Sequence, residues 1–163
     1  MDATAAPRRI LFVCTGNICR SPMAEAVLRH HAERLGLALM VDSAGTSAEE
    51  AGNPPDPRAV HVLRRRGYPV PRRVARRIRR RDFREFDLVL AATRGHLHRL
   101  RRLAPVGAPA TLDLLMSFAP GVADPDIPDP WYGDLADYEH ALDLIERGVE
   151  GMIHRFWPEC RDS

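Results

Sequence analysis

The hydrophobic positions of the chain form short continuous runs that alternate with stretches of helical spacing. The first run, Arg9–Cys14, has the length and composition of a buried central strand. Later apolar runs at 37–42, 87–91 and 110–114 predict three further strands. Strands that alternate with helices predict an α/β domain with a parallel sheet.

Proline and glycine mark where the helices begin and end. The first helix is predicted from Pro22 to about Leu35, because proline suits the first helical turn and Gly36 follows the last one. Further helices are predicted over 57–66, 94–103 and 138–156. No repeat or linker interrupts this order, so one domain is expected over 1–163, with its core at about 9–157.

Residues 117–133 are predicted to form a long irregular loop. The segment contains four prolines and two glycines. Loops of this length inside a compact domain are usually functional. We therefore expect part of the active machinery to lie there.

Cysteine content and hydropathy restrict the class of protein. Three cysteines, an odd number, argue against a secreted disulfide framework and for a reducing compartment. No run approaches the roughly 18 apolar residues of a membrane span, and the first apolar run is too short for a signal peptide. A cytoplasmic protein is expected.

Charge is unevenly distributed although the net charge is only +2. The stretch Arg58 to Arg81 holds eleven arginines and no carboxylate. It predicts either a solvated surface or a docking patch for an acidic partner. Tyr68 alone does not make the aromatic interleaving that base stacking needs, so a nucleic-acid partner is not favoured.

The segment Cys-Thr-Gly-Asn-Ile-Cys-Arg-Ser at 14–21, here called the phosphate loop, follows the first strand and opens the first helix. Ligands of parallel sheets bind at such turns. Backbone N–H groups from Thr15 to Ser21 are expected to form an anion-binding nest at the helix N-terminus. Gly16 is expected to supply an unusual backbone angle, and Arg20 a planar fork for two phosphate oxygens.

Cys14 is the candidate nucleophile. The loop amides, the helix terminus and Arg20 favour its thiolate form, and the Ser21 hydroxyl is expected to bond the sulfur. A thiolate at the floor of an oxyanion cradle can attack phosphorus. The alternative is that Cys14 is only a small apolar residue at the end of a strand.

A proton donor for the leaving oxygen is expected in the long loop. Asp129 lies between Pro128 and Pro130, and Trp131 and Tyr132, whose rings could wall a pocket, follow the second proline. Asp124 and Asp126 are nearby competitors without an adjoining aromatic pair.

Cys-x5-Arg-Ser after the first strand, with a late Asp-Pro-Trp-Tyr-Gly, resembles the low-molecular-weight protein tyrosine phosphatases. Segments 42–46 and 52–56 are also similar to that family, and the resemblance covers about 9–157. It implies a four-stranded parallel sheet with helices on both faces, and no metal or other cofactor. It also implies that a phosphotyrosine protein is hydrolysed through a phosphocysteine on Cys14, with Asp129 as general acid and then general base.

The resemblance also implies roles for further residues. Asn17, Ser21 and Ser43 would form a hydrogen-bond network that shapes the phosphate loop. The loop would bind phosphate through Thr15, Gly16, Asn17, Ile18, Cys19 and Ser21, and the pocket wall would comprise Glu49, Trp131 and Tyr132.

Three positions depart from the family pattern. Arg73 stands where the family usually has a histidine, and Thr93 stands where a carboxylate is common. Glu49 stands where an aromatic residue often flanks the pocket. None of these departures changes Cys14 or Asp129.

Three other functions share parts of this pattern. An arginine phosphatase is close in chemistry, but similar enzymes carry Thr where Ile18 stands, and a branched apolar side chain favours the flat tyrosyl ring. A thiol-dependent arsenate reductase would need a further cysteine pair, and only Cys160 lies outside the phosphate loop. A catalytically silent phosphate-binding module is the non-enzyme alternative.

Overall fold

A four-stranded parallel sheet forms the centre of the computed structural model, which describes residues 5–160. The strands are β1 (Arg9–Cys14), β2 (Met40–Gly45), β3 (Leu88–Ala91) and β4 (Thr111–Leu114), in the order β2-β1-β3-β4. This confirms the predicted α/β class. Residues 1–4 and 161–163 of the predicted domain lie outside the described residues.

Five α-helices and three short 3-10 segments connect and cover the strands across residues 5–160. The helices are α1 (Arg20–Leu35), α2 (Pro57–Arg65), α3 (Asp82–Glu85), α4 (Arg94–Leu103) and α5 (Leu135–Phe156). The 3-10 segments are Leu115–Phe118, Pro130–Tyr132 and Pro158–Cys160. No helix in this part of the chain is long and apolar enough to cross a membrane.

The core lies on both faces of the sheet. Along β1, Ile10 and Phe12 pack on the face that α1 and α5 cover. Leu11 and Val13 point to the opposite face and pack with α4 residues such as Leu100. Because both faces are covered, the strand reads as a continuous apolar run rather than an alternating one.

The predicted position of β2 is wrong by three residues. Parallel pairing aligns Arg9 with Met40 and Cys14 with Gly45, so the strand covers Met40–Gly45 rather than 37–42. Leu37 and Leu39 are partly buried against the core without being part of the strand. Burial rather than sheet pairing explains their apolar character.

Smaller corrections concern helix ends. The first helix begins at Arg20, before Pro22, and α3 was not predicted at all. The last helix begins at Leu135, because a reciprocal capping box between Asp134 and Asp137 fixes its first turn. Apolar spacing detects the buried face of a helix but does not locate such caps.

Candidate active site

A cavity of about 290 Å3 opens beside the carboxyl end of β1 and the N-terminus of α1. Ten of its lining residues were singled out in the sequence, and Glu50 was missed. The lining comprises Cys14, Thr15, Gly16, Ile18, Cys19, Arg20, Glu49, Glu50, Asp129, Trp131 and Tyr132. The other predicted residues, Asn17, Ser21 and Ser43, are buried.

Cys14 is the last residue of β1 and is almost fully buried. Its Sγ lies 3.1 Å from Ser21 Oγ. Helix α1 begins at Arg20, so its N-terminus, with free N–H groups and a partial positive charge, adjoins the cavity. This environment favours a bound anion.

Asn17, not Gly16, has the unusual backbone angle of the phosphate loop. Its φ is 61°, in the left-handed region that asparagine tolerates better than most residues. A Cβ at Gly16 would lie 3.2 Å from Glu50 Cγ, so a side chain there would require a small shift of Glu50. The expectation of an unusual angle at Gly16 is therefore corrected, because that angle belongs to Asn17.

The Asn17 side chain ties the loop to β2. Its Nδ2 donates to Ser21 Oγ at 2.8 Å and to Ser43 Oγ at 3.0 Å. Its Oδ1 accepts from the backbone N–H of Arg76 at 3.1 Å. These contacts place Asn17, Ser21 and Ser43 in one hydrogen-bonded group, as the resemblance implied.

Arg73 occupies the centre of that group. One guanidinium nitrogen donates to Asn17 Oδ1 at 2.7 Å, and another lies 2.8 Å from Ser43 Oγ and 2.8 Å from Glu25 Oε1. The second nitrogen also reaches Asp42 Oδ1 at 2.5 Å. We call Asn17, Ser43, Arg73, Glu25 and Asp42 the β2-side support. Arginine thus fills the histidine position with a longer, permanently charged donor.

Both carboxylates of the β2-side support form ion pairs with Arg73. Glu25 is 1% exposed and also accepts from Ser43 Oγ at 2.6 Å. Burial disfavours the charged form of Asp42, but the Ser43 N–H and the charges of Arg73 and Arg76 outweigh it and lower the pKa of Asp42. Sequence reasoning missed Glu25, because a single glutamate inside a helix gives no signal of its burial.

Arg20 connects the phosphate loop to residues 124–133, which we call the acid loop. Its Nη1 donates to the Ile127 carbonyl at 2.9 Å, and its Nη2 lies 3.6 Å from Asp129 Oδ2. The Ile127 N–H in turn donates to the carbonyl of Ala92 just after β3. The guanidinium is therefore held at the edge of the cavity by the main chain.

Asp129 differs from its two competitors in its partners. It lines the cavity, its side chain is 45% exposed, and its Oδ1 accepts from the Trp131 N–H at 3.1 Å. Asp126 accepts instead from the backbone N–H of Arg94 at 2.8 Å, and Asp124 accepts from the Asp126 N–H. The geometry favours Asp129 as the proton donor.

The cavity mouth combines aromatic and acidic side chains. Tyr132 is exposed, and Trp131 is partly exposed with the Arg58 guanidinium 5.5 Å from its ring centroid. Glu49 is exposed on the opposite loop, and Glu50 beside it accepts from Asn53 Nδ2 at 2.7 Å. The wall is thus aromatic on one side and negatively charged on the other.

Cys19 lies in the same loop as Cys14 but in a different environment. Its Sγ is 3.1 Å from the Tyr138 hydroxyl. Burial raises the pKa of Cys19 to about 12, so it remains a neutral thiol. Of the two thiols, the geometry favours Cys14 as the nucleophile.

His96, which the sequence analysis missed, contacts the phosphate loop from the first turn of α4, the helix that follows β3. Its Nε2 lies 2.7 Å from Thr15 Oγ1, and its Nδ1 lies 2.9 Å from Thr93 Oγ1. Burial and the positive charge of Arg20 lower the pKa of His96 to about 4, so the ring is neutral. We call Thr15, His96 and Thr93 the β3-side support. A histidine three residues after a capping threonine was the only available signal.

Comparison with known proteins gives consistent matches. The family model described as low molecular weight phosphotyrosine protein phosphatase matches residues 9–159. A low molecular weight protein-tyrosine-phosphatase of Streptomyces coelicolor is 46% identical over 150 residues, covering 89% of this chain and 91% of that protein.

Solved structures agree with this similarity. A protein tyrosine phosphatase from Entamoeba histolytica superposes with a TM-score of 0.87 at 31% identity, covering 93% of this chain and 97% of the other. A Drosophila arginine phosphatase gives a TM-score of 0.87 at 30% identity, covering 91% and 97%. The phosphate loop and the acid loop both fall inside the matched range.

Proposed function

Because the chain belongs to the low molecular weight phosphotyrosine protein phosphatase family, we propose that it hydrolyses phosphotyrosine in a protein substrate through a phosphocysteine on Cys14. One observation carries the proposal. The Cys14 sulfur lines a cavity at a helix N-terminus, and Arg20 and Asp129 line the same cavity. A nucleophile, an anion-binding cation and a proton donor thus meet in one site.

The reaction has two displacements. Cys14 Sγ attacks phosphorus as the bond to the tyrosyl oxygen breaks, and Asp129 gives its proton to that oxygen. Water then attacks the phosphocysteine, Asp129 takes a proton from the water, and the thiolate leaves. The products are tyrosine and inorganic phosphate, and both catalytic groups return to their starting state.

Arg20 and the loop amides stabilise charge during both displacements. Arg20 has five N–H donors, and the Ile127 carbonyl and Asp129 engage its two terminal nitrogens. The remaining donors can bind two oxygens of the phosphoryl group. The N-terminus of α1 adds a fixed positive potential at the same place.

A tyrosyl group suits the walls of the cavity. Ile18 lines it together with Trp131 and Tyr132, which gives apolar and aromatic surface for a ring. Phosphoarginine is the competing substrate. The kcat/KM values for phosphotyrosine and phosphoarginine peptides decide between the two, and we expect the tyrosine peptide to be preferred.

The substrate is a phosphoprotein, and a cytoplasmic location would keep Cys14 reduced. Part of the arginine-rich stretch serves the fold, because Arg66, Arg73 and Arg76 form internal ion pairs. The arginines at 64 and 65 on α2 are exposed. A docking role for an acidic partner stays a prediction for these side chains.

The proposal is tested first at the nucleophile. Purified Cys14→Ser should hydrolyse no p-nitrophenyl phosphate above background while its thermal unfolding stays close to that of the wild type. Cys160→Ser, which changes a cysteine outside the cavity, is the matched control and should keep full turnover. Substantial turnover by Cys14→Ser would contradict the mechanism.

The proton donor is tested with a pair of aspartates. Asp129→Asn should lower kcat by roughly 10²- to 10⁴-fold, the usual contribution of a general acid. The loss should shrink for esters whose leaving group needs no proton. Asp126→Asn, in the same loop but bonded to Arg94, is the control. If Asp126→Asn gave the larger loss, Asp129 would be the wrong carboxylate.

A further inference from the structure

The β3-side support reaches the rim of the cavity through a chain of uncharged side chains. Thr93 is the N-cap of α4, and its Oγ1 accepts the backbone N–H of His96 at 3.2 Å. The same oxygen lies 2.9 Å from His96 Nδ1. His96 Nε2 lies 2.7 Å from Oγ1 of Thr15, which is exposed and lines the cavity. The proposed reaction assigns no role to these hydrogen bonds between Thr93, His96 and Thr15.

The partners of His96 point to one arrangement of its protons. A neutral imidazole carries one proton, and the hydrogen bond at one ring nitrogen sets which nitrogen carries it. Because Thr93 Oγ1 already accepts the backbone N–H, donation of its own hydroxyl proton to Nδ1 is the arrangement in which this group both accepts and donates. In that arrangement the ring proton is on Nε2, which donates to Thr15 Oγ1. A hydroxyl that accepts at its oxygen must direct its own proton elsewhere.

We propose that His96 is a positioning residue for the phosphatase reaction: protonated on Nε2, it donates to Thr15 Oγ1 and leaves the Thr15 hydroxyl free to donate to a phosphoryl oxygen. The inference rests on the proposed function for its substrate. It adds a donor to those that Arg20 and the loop amides supply. The added donor is the Thr15 hydroxyl, and His96 on α4 fixes the direction of its proton.

The surroundings of His96 support a neutral ring at the pH of catalysis. It is 8% exposed, and the charged groups that face it are Arg20, Asp129 and Asp126. Burial and Arg20 lower its pKa to about 4, against the opposite effect of the two carboxylates. An imidazolium would place a second positive charge beside Arg20. It could also no longer accept from Thr93.

Two substitutions of His96 distinguish the role of Nδ1 from the role of Nε2. In His96→Asn the amide can replace Nδ1 toward Thr93 but does not reach Thr15. In His96→Gln the amide nitrogen extends to the place of Nε2 and can still donate to Thr15. The exposed His98 on the same helix provides the control His98→Asn.

The measurements are kcat/KM for p-nitrophenyl phosphate and, independently of turnover, the Kd of inorganic phosphate by titration calorimetry. We expect His96→Asn to lose about three- to tenfold in both, the contribution of one hydrogen bond. His96→Gln should stay within about twofold of wild type, and His98→Asn should be unchanged. A 15N–1H correlation spectrum should show the His96 proton on Nε2.

A double-mutant cycle tests whether His96 acts through Thr15. Thr15→Val should show the same loss as His96→Asn, and the double variant should lose no more than Thr15→Val alone. Additive losses, wild-type phosphate binding in His96→Asn, failure of His96→Gln to rescue, or a proton on Nδ1 would each overturn the proposal. Absence of turnover in the wild type would instead contradict the proposed function, and the calorimetry and the spectrum would still test His96.

Discussion

The phosphate loop is held from two sides by supports of opposite electrical character. The β2-side support is built on Arg73, whose guanidinium is bonded to Asn17, Ser43 and two carboxylates. The β3-side support is built on His96, a neutral ring between two hydroxyl groups. One side holds the loop with permanent charge and the other with uncharged donors and acceptors.

The difference follows from what each side faces. Arg73 lies behind the loop beside Glu25, a buried carboxylate that is paired with Arg73 at one oxygen and with Arg29 at the other. His96 lies within the electrostatic influence of Arg20, which must keep its charge for phosphate. A second cation there would compete with Arg20 for Asp129 and raise the energy of the empty site. The two supports can therefore be distinguished by two changes. One removes the charge of Arg73 by substitution, and the other adds a charge to His96 by lowering the pH.

The largest expected effect is on the charged side. Arg73→Met keeps much of the side-chain volume but leaves buried Glu25 with Arg29 alone, whose guanidinium lies 3.0 Å from Oε2, so we expect a loss of up to about 3 kcal/mol in the free energy of unfolding. Denaturant unfolding at neutral pH measures it. Arg72→Met, at the exposed neighbouring position, is the control.

A second substitution sharpens this result. Glu25→Gln in the Arg73→Met background removes the buried charge that has lost Arg73, and it should recover part of the lost stability. If the double variant were no more stable than Arg73→Met alone, the Arg73 effect would come from packing rather than charge. That result would contradict the conclusion that the β2-side support stabilises the fold through charge.

The next effect concerns the uncharged side and depends on pH. The pKa of His96 is about 4 in the folded protein and 6.5 for an ordinary histidine, so the unfolded chain binds more protons between these values. The contribution of His96 is complete above about pH 6.5 and is lost as the pH falls toward 4.

The measurement compares wild type with His96→Gln, which has no ring to protonate. Between neutral pH and about pH 5, the wild type should lose about 2 kcal/mol more unfolding free energy than the variant. Equal losses in the two proteins would show that His96 is not held neutral.

The smallest effect is expected at the cavity mouth, outside both supports. Glu49→Trp replaces an exposed carboxylate by a ring that can contact the substrate's ring, worth about 0.5–1.5 kcal/mol. KM for aryl phosphates should fall several-fold with kcat nearly unchanged, because this contact is the same in substrate and transition state. Glu49→Gln controls for the loss of charge alone. An unchanged KM would place Glu49 outside the substrate's reach.

Local sequence was sufficient for the elements that carry the chemistry. The buried strand, the phosphate loop and the start of a helix are consecutive in the chain, so the position of Cys14 relative to Arg20 follows from local rules. Asp129 was recognised in an irregular loop by its aromatic neighbours, and the structure brings it to the same cavity. The sequence pattern also predicted the parallel sheet, because strands alternate with helices along the chain.

Tertiary structure decided what holds those elements in place. Arg73 is 56 residues from Asn17, and His96 is 81 residues from Thr15, so no local pattern pairs them. The register of β2 against β1 brings Gly45 beside Cys14, and that pairing depends on hydrogen bonds between segments rather than on apolar character. The electrostatic roles of these side chains also depend on tertiary structure. The sequence contains the arginines and the histidine, but only the fold places the permanent charge of Arg73 beside buried Glu25 and keeps His96, buried near Arg20, neutral.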